Sequence, residues 1–199
     1  MDAPSSEDGA EPLAQLRAWL DEARSSGLLG WDTVVLATAT PDGRPSARAV
    51  LLRGFDERGF VFFTDTRSRK GRELAANRYA ALVMTWPPLE RQVRAEGAVE
   101  AVAAEDSDAY FARRPRGHQL AAWVSQQSDV LHDRSVLEQR LVEVQREFDG
   151  RPVPRPPYWG GYRVVPFEIE LWQGRPDRLH HRVRYRRLGE AWRGDLLWP

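Results

Sequence analysis

The sequence predicts a mainly β fold with α: an antiparallel barrel with helices packed outside it. Three observations lead there. About seven short runs rich in β-branched or aromatic residues are bounded by turn signals. The runs come in hairpins, joined by turns such as Pro41-Asp-Gly-Arg44 and Asp56-Glu-Arg-Gly59. Long helices do not alternate with the strands, which argues against a doubly wound parallel sheet.

Taken in order, Leu13, Leu16, Trp19, Leu20 and Ala23 recur at helical spacing and predict an amphipathic helix over about 11–25, ended by Gly27 and Gly30. Thr33 to Thr40 and Ser46 to Arg53 read as a hairpin, and Gly59 to Thr64 as the next strand. Ser68 to Asn77 reads as a short helix, Tyr79 to Trp86 and Gln92 to Ala103 as strands, and Asp106 to Arg113 and Gln119 to Val124 as short helices. Ser135-Val-Leu-Glu138 has the capping-box pattern and opens a helix carrying Leu137, Leu141, Val144 and Phe148 on one face. The Pro-rich stretch Arg151 to Pro157 stops it. Strands return at Gly161 to Val165, Glu168 to Trp172, His180 to Arg187 and Ala191 to Leu196. No linker divides the chain, so 11–199 is expected to form a single domain, preceded by a disordered stretch over 1–10.

The bulk numbers narrow the function classes. Lys plus Arg equals Asp plus Glu at 29 each in 199 residues, so overall charge gives no reason to expect nucleic-acid or anionic-membrane binding. The absence of cysteine excludes disulfides, thiolate metal sites and a cysteine nucleophile. No apolar run approaches the roughly 20 residues of a membrane-spanning helix. Met1 to Ala10 is acidic, the opposite of a signal peptide, so the expected location is the cytoplasm.

Four local clusters carry candidate chemistry. In Arg48-Ala-Val-Leu-Leu-Arg53 the two arginines have opposite parity and point to opposite faces if the strand is regular. In Thr64-Asp-Thr-Arg-Ser-Arg-Lys70 a strand end leads into a helix start, where free N–H groups join Arg67, Arg69 and Lys70 in a phosphate cradle or, alternatively, a solvated basic turn. Tyr110-Phe-Ala-Arg-Arg-Pro-Arg-Gly-His118 brings Arg113, Arg114, Arg116 and His118 close together, suited to an anion or simply to a charged helix end. Trp172-Gln-Gly-Arg-Pro-Asp-Arg-Leu-His-His-Arg182 crowds His and Arg behind a Trp, and neutral His can exchange protons near neutral pH. Metal-ligand spacings, Walker and Rossmann glycines and the GxSxG elbow are all missing from the sequence. Basic groups outnumber acidic ones at every cluster, which implies small anionic ligands without naming them.

The strings Arg48-Ala-Val-Leu-Leu-Arg53, Ser68-Arg-Lys70, Leu89-Glu-Arg-Gln-Val93, Tyr110-Phe111 with Arg114-Pro-Arg116, Ala122-Trp-Val-Ser-Gln-Gln-Ser128, Trp159-Gly-Gly-Tyr-Arg163 and Trp172-Gln-Gly with Arg178-Leu-His180 resemble the pyridoxine/pyridoxamine 5′-phosphate oxidases, in order, from about residue 12 to the C-terminus. The resemblance implies a split antiparallel β-barrel with flanking helices, a homodimer holding flavin mononucleotide (FMN) between its chains. By matched position it implies that Arg48, Ala49, Val50, Leu51, Phe63, Thr64, Arg69, Lys70, Gln92, Gln127, Ser128, Trp172 and Arg182 line the flavin site. Arg53, Tyr110, Arg114 and His118 would meet substrate phosphate, with Arg178 and His180 over the ring as the catalytic pair. The implied reaction oxidises the substrate at C4′ and reduces O₂ to hydrogen peroxide.

Four departures fall on the substrate side. Arg53 stands where the family usually has Lys, His118 where Ser is common, and His181 where Asp is usual, and the segment before the first helix is short. The sequence therefore also admits a related flavin oxidase of specialised metabolism, similar to the phenazine-biosynthesis oxidases and acting on a different ring. A non-catalytic flavin-binding barrel is the other-class alternative, and a nucleic-acid binder the least supported by the neutral charge.

Overall fold

A computed structural model describes residues 11–199; the disorder expected for 1–10 lies outside the described residues. The first helix, α1 (Pro12–Ser25), starts on a proline whose missing N–H costs nothing in a first turn. It buries Leu13, Leu16, Trp19, Leu20 and Ala23, the stripe read from the sequence. Strands β1 (Thr33–Ala39) and β2 (Pro45–Leu51) form the expected hairpin in register from Thr33↔Leu51 to Ala39↔Pro45. Gly43, at φ +83°, takes the left-handed turn position and donates its N–H to Thr40 O at 2.9 Å.

The remaining elements are β3 (Gly54–Asp56), β4 (Gly59–Asp65), α2 (Arg69–Ala76), β5 (Tyr79–Trp86), β6 (Arg91–Ala101), α3 (Ala104–Ala112), α4 (Arg116–Val124), α5 (Arg134–Glu147), β7 (Trp159–Gln173), β8 (His181–Leu188) and β9 (Ala191–Leu196). The described residues thus hold nine strands, with β3 added and the runs 161–165 and 168–172 merged into β7, in one antiparallel sheet ordered β2-β1-β5-β6-β7-β4-β3, with β8 and β9 continuing from β7.

β7 explains how a single sheet becomes a split barrel. One edge pairs with β6 along most of its length. The other edge pairs with β4 through Trp159–Val164 and then with β8 through Glu168–Gln173. The changeover falls around Pro166, which has no N–H to give a ladder, opposite a register shift between Glu96 and Gly97. A Cβ on Gly97 would lie 2.3 Å from Val165 O, so only glycine admits that approach. Where the sequence predicts two strands, Gly161 to Val165 and Glu168 to Trp172, the structure has one strand with an irregularity.

Two cores result. The main one packs α1 under the sheet through Leu16, Leu36, Phe60, Phe62, Leu82, Met84, Val164 and Ile169. A smaller one joins α3, α4 and α5 to the start of β7 through Phe111, Leu120, Val144, Phe148 and Trp159. The start of α5 differs from the capping-box expectation. Asp133 is the cap, accepting from Ser135 N at 2.8 Å, and Glu138 pairs with Arg134. A carboxylate two residues earlier takes the first free amide before Ser135 can. Val144 and Phe148 are buried, whereas Leu141 of the same predicted face is exposed.

Candidate active site

A cleft of about 1090 Å³ opens between β2, the end of β4, the start of α2, the α3–α4 corner and residues 125–128. Arg48, Ala49, Val50, Leu51, Arg53, Phe63, Thr64, Arg69, Lys70, Tyr110, Arg114, His118, Gln127 and Ser128 all line it. Arg48 and Arg53 reach the same cleft despite opposite parity. β2 ends at Leu51, and Arg53 N–H bonds instead to Val61 O at 2.8 Å, so the regular-strand premise fails there.

At one end lies a cationic cradle. Ser68 caps α2, accepting from Gly71 N and donating to Asp65 O at 2.6 Å. A Cβ on Gly71 would sit 2.1 Å from Thr66 O, so glycine lets the turn close against the helix. The tight turn leads Lys70 inward, where Nζ donates to Gln127 Oε1 (2.7 Å), Thr64 Oγ1 (3.0 Å) and Ser68 Oγ (3.3 Å). Burial, helped by the Arg48 charge, lowers Lys70 from 10.5 to about 8. Arg69 donates through Nε to Glu73 Oε1 at 2.9 Å. Arg67 is a correction to the cradle read from sequence: it does not line the cleft but bonds Asp65 at 2.8 Å and stacks on Tyr158.

At the other end an aromatic stack carries a second cationic group. Phe63 stacks on Tyr110 with centroids 4.2 Å apart and on Trp159 at 5.4 Å. The Arg114 guanidinium lies 4.6 Å from the Trp159 ring centre, and its Nη1 is buried without a hydrogen-bond partner. Burial lowers the Arg114 pKa; Tyr110 opposes this and Arg53 adds to it. A buried guanidinium nitrogen without a partner is costly, and an anion in the cleft would satisfy it. Arg53 is steadied by Asp32 at 2.8 Å. Arg116 is occupied elsewhere, donating to the carbonyls of Phe148 and Arg151.

Gln92, Trp172, Arg178, His180 and Arg182 do not line this cleft and form a second group. Gln92, Trp172 and Arg182 sit side by side on β6, β7 and β8. Arg182 donates to the buried Glu170 at 2.8 Å and to Trp198 O at 2.9 Å. The His180 ring centre lies 4.6 Å from that of Trp172, and His180 Nδ1 accepts from Arg175 N at 3.3 Å. Asp177 and Arg178 both hold positive φ, 57° and 61°, which strains this loop. Trp159, in the first group, and Trp172, in the second, stand near opposite ends of β7, separated by roughly 40 Å of strand.

Residues 20–147 match the family described as pyridoxamine 5′-phosphate oxidase, and residues 159–199 match the pyridoxine 5′-phosphate oxidase C-terminal dimerisation region. The chain belongs to the pyridoxamine 5′-phosphate oxidase family. Proteins named pyridoxine/pyridoxamine 5′-phosphate oxidase are similar to it at 58% identity in Rubrobacter xylanophilus, covering 97% of this chain and 90% of that one, and at 52% in Gloeothece citriformis, covering 97% and 91%. Among solved structures, PhzG from Burkholderia lata, in complex with tetrahydrophenazine-1-carboxylic acid, superposes with a TM-score of 0.91 at 34% identity, covering 100% of this chain and 98% of that one. The second candidate group lies in the part of the oxidase that matches the dimerisation region, apart from Gln92.

The donor set fits a flavin phosphate: Arg48, Arg69 and Lys70 converge beside the α2 N-terminus. Glu73, Ser125 and Trp159 belong to the site's surroundings and were not singled out as site residues from sequence. Only the Arg69-to-Glu73 spacing of four, an ion pair on one helix face, signals Glu73 in advance.

Proposed function

We propose that the protein is an FMN-dependent oxidase that takes pyridoxine 5′-phosphate and O₂ to pyridoxal 5′-phosphate and hydrogen peroxide, and takes pyridoxamine 5′-phosphate, O₂ and water to the same two products and ammonia. The observation that carries this reading is one cleft with two cationic ends, the Arg48/Arg69/Lys70 cradle and the unpaired Arg114, joined by an aromatic wall. Two phosphates, one on the cofactor and one on the substrate, are what such a cleft accommodates. A flavin held there would supply the redox chemistry, as acceptor of a hydride equivalent from substrate C4′ and donor of two electrons to O₂.

The chain's own residues bind and orient. Arg69 and Lys70 hold the cofactor phosphate, with Arg48 and Thr64 beside them. Arg114, Arg53, Tyr110 and His118 hold the substrate phosphate, so the substrate's reacting carbon is placed by its far end. Gln92, Trp172, Arg178, His180 and Arg182 act in the cleft of a second copy, which makes the working unit a homodimer with two composite sites. His180 uses Nδ1 to accept from the Arg175 amide, which leaves Nε2–H as its donor to the ligand.

A second reading is favoured by the likeness to PhzG, whose bound ring carries a carboxylate. Arg114 would pair a carboxylate as readily as a phosphate. The relatives above half identity favour the vitamin B6 substrate. The test is anaerobic addition of pyridoxine 5′-phosphate to the flavin-loaded protein. Bleaching of the flavin absorbance is expected. Persistence of the oxidised spectrum, with bleaching by a carboxylated ring instead, selects the second reading.

A further inference from the structure

Glu73 is a buried carboxylate wedged between α2 and the β1–β2 hairpin, with 5% of its side chain exposed. Its Oε2 accepts from Thr38 Oγ1 (2.5 Å), Ser46 Oγ (2.6 Å) and Arg48 Nη2 (3.2 Å), and its Oε1 accepts from Arg69 Nε (2.9 Å). We propose that Glu73 is the positioning residue of the flavin-phosphate cradle, holding Arg48 and Arg69 so that both guanidinium groups face the cleft. The proposal rests on the cofactor placement above and deepens it.

The geometry is specific on three counts. First, Glu73 grips Arg69 through Nε alone; among the described residues this is the only hydrogen bond of the Arg69 side chain, so the two Nη groups are left for a bidentate anion contact. Second, Arg48 is bound on two sides. Its Nη1 donates to Thr38 Oγ1 at 2.5 Å and its Nη2 to Ser46 and Glu73, so the same carboxylate orders the hydroxyls that order the arginine. Third, the charge is placed against the simplest electrostatic expectation. A carboxylate beside an anion site repels the anion, and a purely structural plug in this small space would be better apolar. Its retention is accounted for if ordering two arginines outweighs that repulsion. The hydrogen bonds from Ser46, Thr38, Arg69 and Arg48 outweigh the effect of burial and hold Glu73 at about 2, so the clamp stays charged throughout the working pH range.

The experiment compares binding of FMN and riboflavin, which differ only in the phosphate, to the full-length protein stripped of flavin, read by quenching of flavin fluorescence. Glu73→Asp keeps the charge but withdraws it by one carbon–carbon bond, about 1.5 Å. Glu73→Gln keeps the length but removes the charge. Both are expected to weaken FMN by roughly 10-fold or more, the lower end for a hydrogen bond to a charged group, while riboflavin binding changes less than about threefold. Riboflavin binding also reports folding, so a variant that fails to fold is recognised and the other decides. An unchanged or tightened FMN affinity in the folded variants overturns the proposal. Arg69→Ala separates the two levels: if it too leaves the FMN-to-riboflavin ratio unchanged, the phosphate does not bind in this cradle and the site placement fails. If it lowers the ratio and the Glu73 variants do not, only the role of Glu73 fails.

Discussion

Lys70 gives the sharpest test of the cradle, because its charge costs stability when the cleft is empty and contributes binding when it is filled. Its pKa falls from 10.5 to about 8, chiefly through burial. At about 1.36 kcal/mol per unit, the folded flavin-free protein carries a penalty of about 3 kcal/mol for keeping this ammonium charged. Lys70→Met removes the charge at similar length and helix propensity. It also removes three hydrogen bonds, but Thr64 Oγ1 already donates to Gln127 Oε1 at 2.9 Å, so the groups left behind partner each other. A net gain of about 1–2 kcal/mol at pH 7 is expected, or roughly 2–8 °C in Tm for a chain of this size. The sign follows from linkage. Below about pH 8 the lysine is charged in both states and the penalty is complete. Between about 8 and 10.5 the unfolded chain holds a proton that the folded one has released, so wild-type stability rises and the advantage of the variant disappears. FMN affinity should move the other way, weakening about 10–100-fold at pH 7. Thermal and urea unfolding of the flavin-free proteins at pH 7 and pH 10.5, with a flavin titration, checks all three. A variant less stable than wild type at pH 7 refutes the reasoning.

Two further predictions concern the substrate end and the shared sites. Arg114→Ala should raise KM for pyridoxine 5′-phosphate about 10–100-fold and change kcat little, measured as peroxide release, because the lost contact binds ground state and transition state alike. In mixed dimers of Arg69→Ala and Arg182→Ala chains, flavin content should recover to about one quarter of wild type, since random pairing makes half the dimers mixed and each mixed dimer has one intact cleft; absence of recovery would place both groups in the same chain's site.

The legible parts of this protein were those carried by local pattern. The α1 stripe, the β1–β2 hairpin and the helix following Ser68 are set by residues close in sequence, and the structure places them within a residue or two of expectation. The illegible parts depend on distant partners. Pro166 breaks a strand on paper, yet β7 runs through it because its two edges are held by β6, β4 and β8. Arg53 has the wrong parity for the cleft until the end of β2 at Leu51 is known. Arg67, Arg69 and Lys70 look equivalent in sequence. Asp65 and Tyr158 draw the first away, Glu73 orients the second, and the Gln127 amide receives the third. The i,i+4 spacing from Arg69 marks Glu73 only as one half of an ion pair; its grip on Arg48 shows once Thr38 and Ser46 converge on it.

The departures read from sequence can now be placed by geometry. Arg53 and His118 line the cleft beside Arg114, whereas His181 opens β8 opposite Gln173, in the other group. Replacing a lysine by Arg53 lengthens the cation, but Asp32 ties back one arm of its fork at 2.8 Å. That tether limits how far Arg53 reaches and partly neutralises it, whereas Arg114 keeps a buried Nη1 without a partner at this end of the cleft. His118 adds a donor to the same wall. The change from lysine therefore preserves an anion pocket, and the pocket's choice between a phosphate and a carboxylate turns on how many donors converge with Arg114. A phosphate offers three terminal oxygens and a carboxylate two, so a cleft wall that adds Arg53, Tyr110 and His118 to Arg114 suits the phosphate.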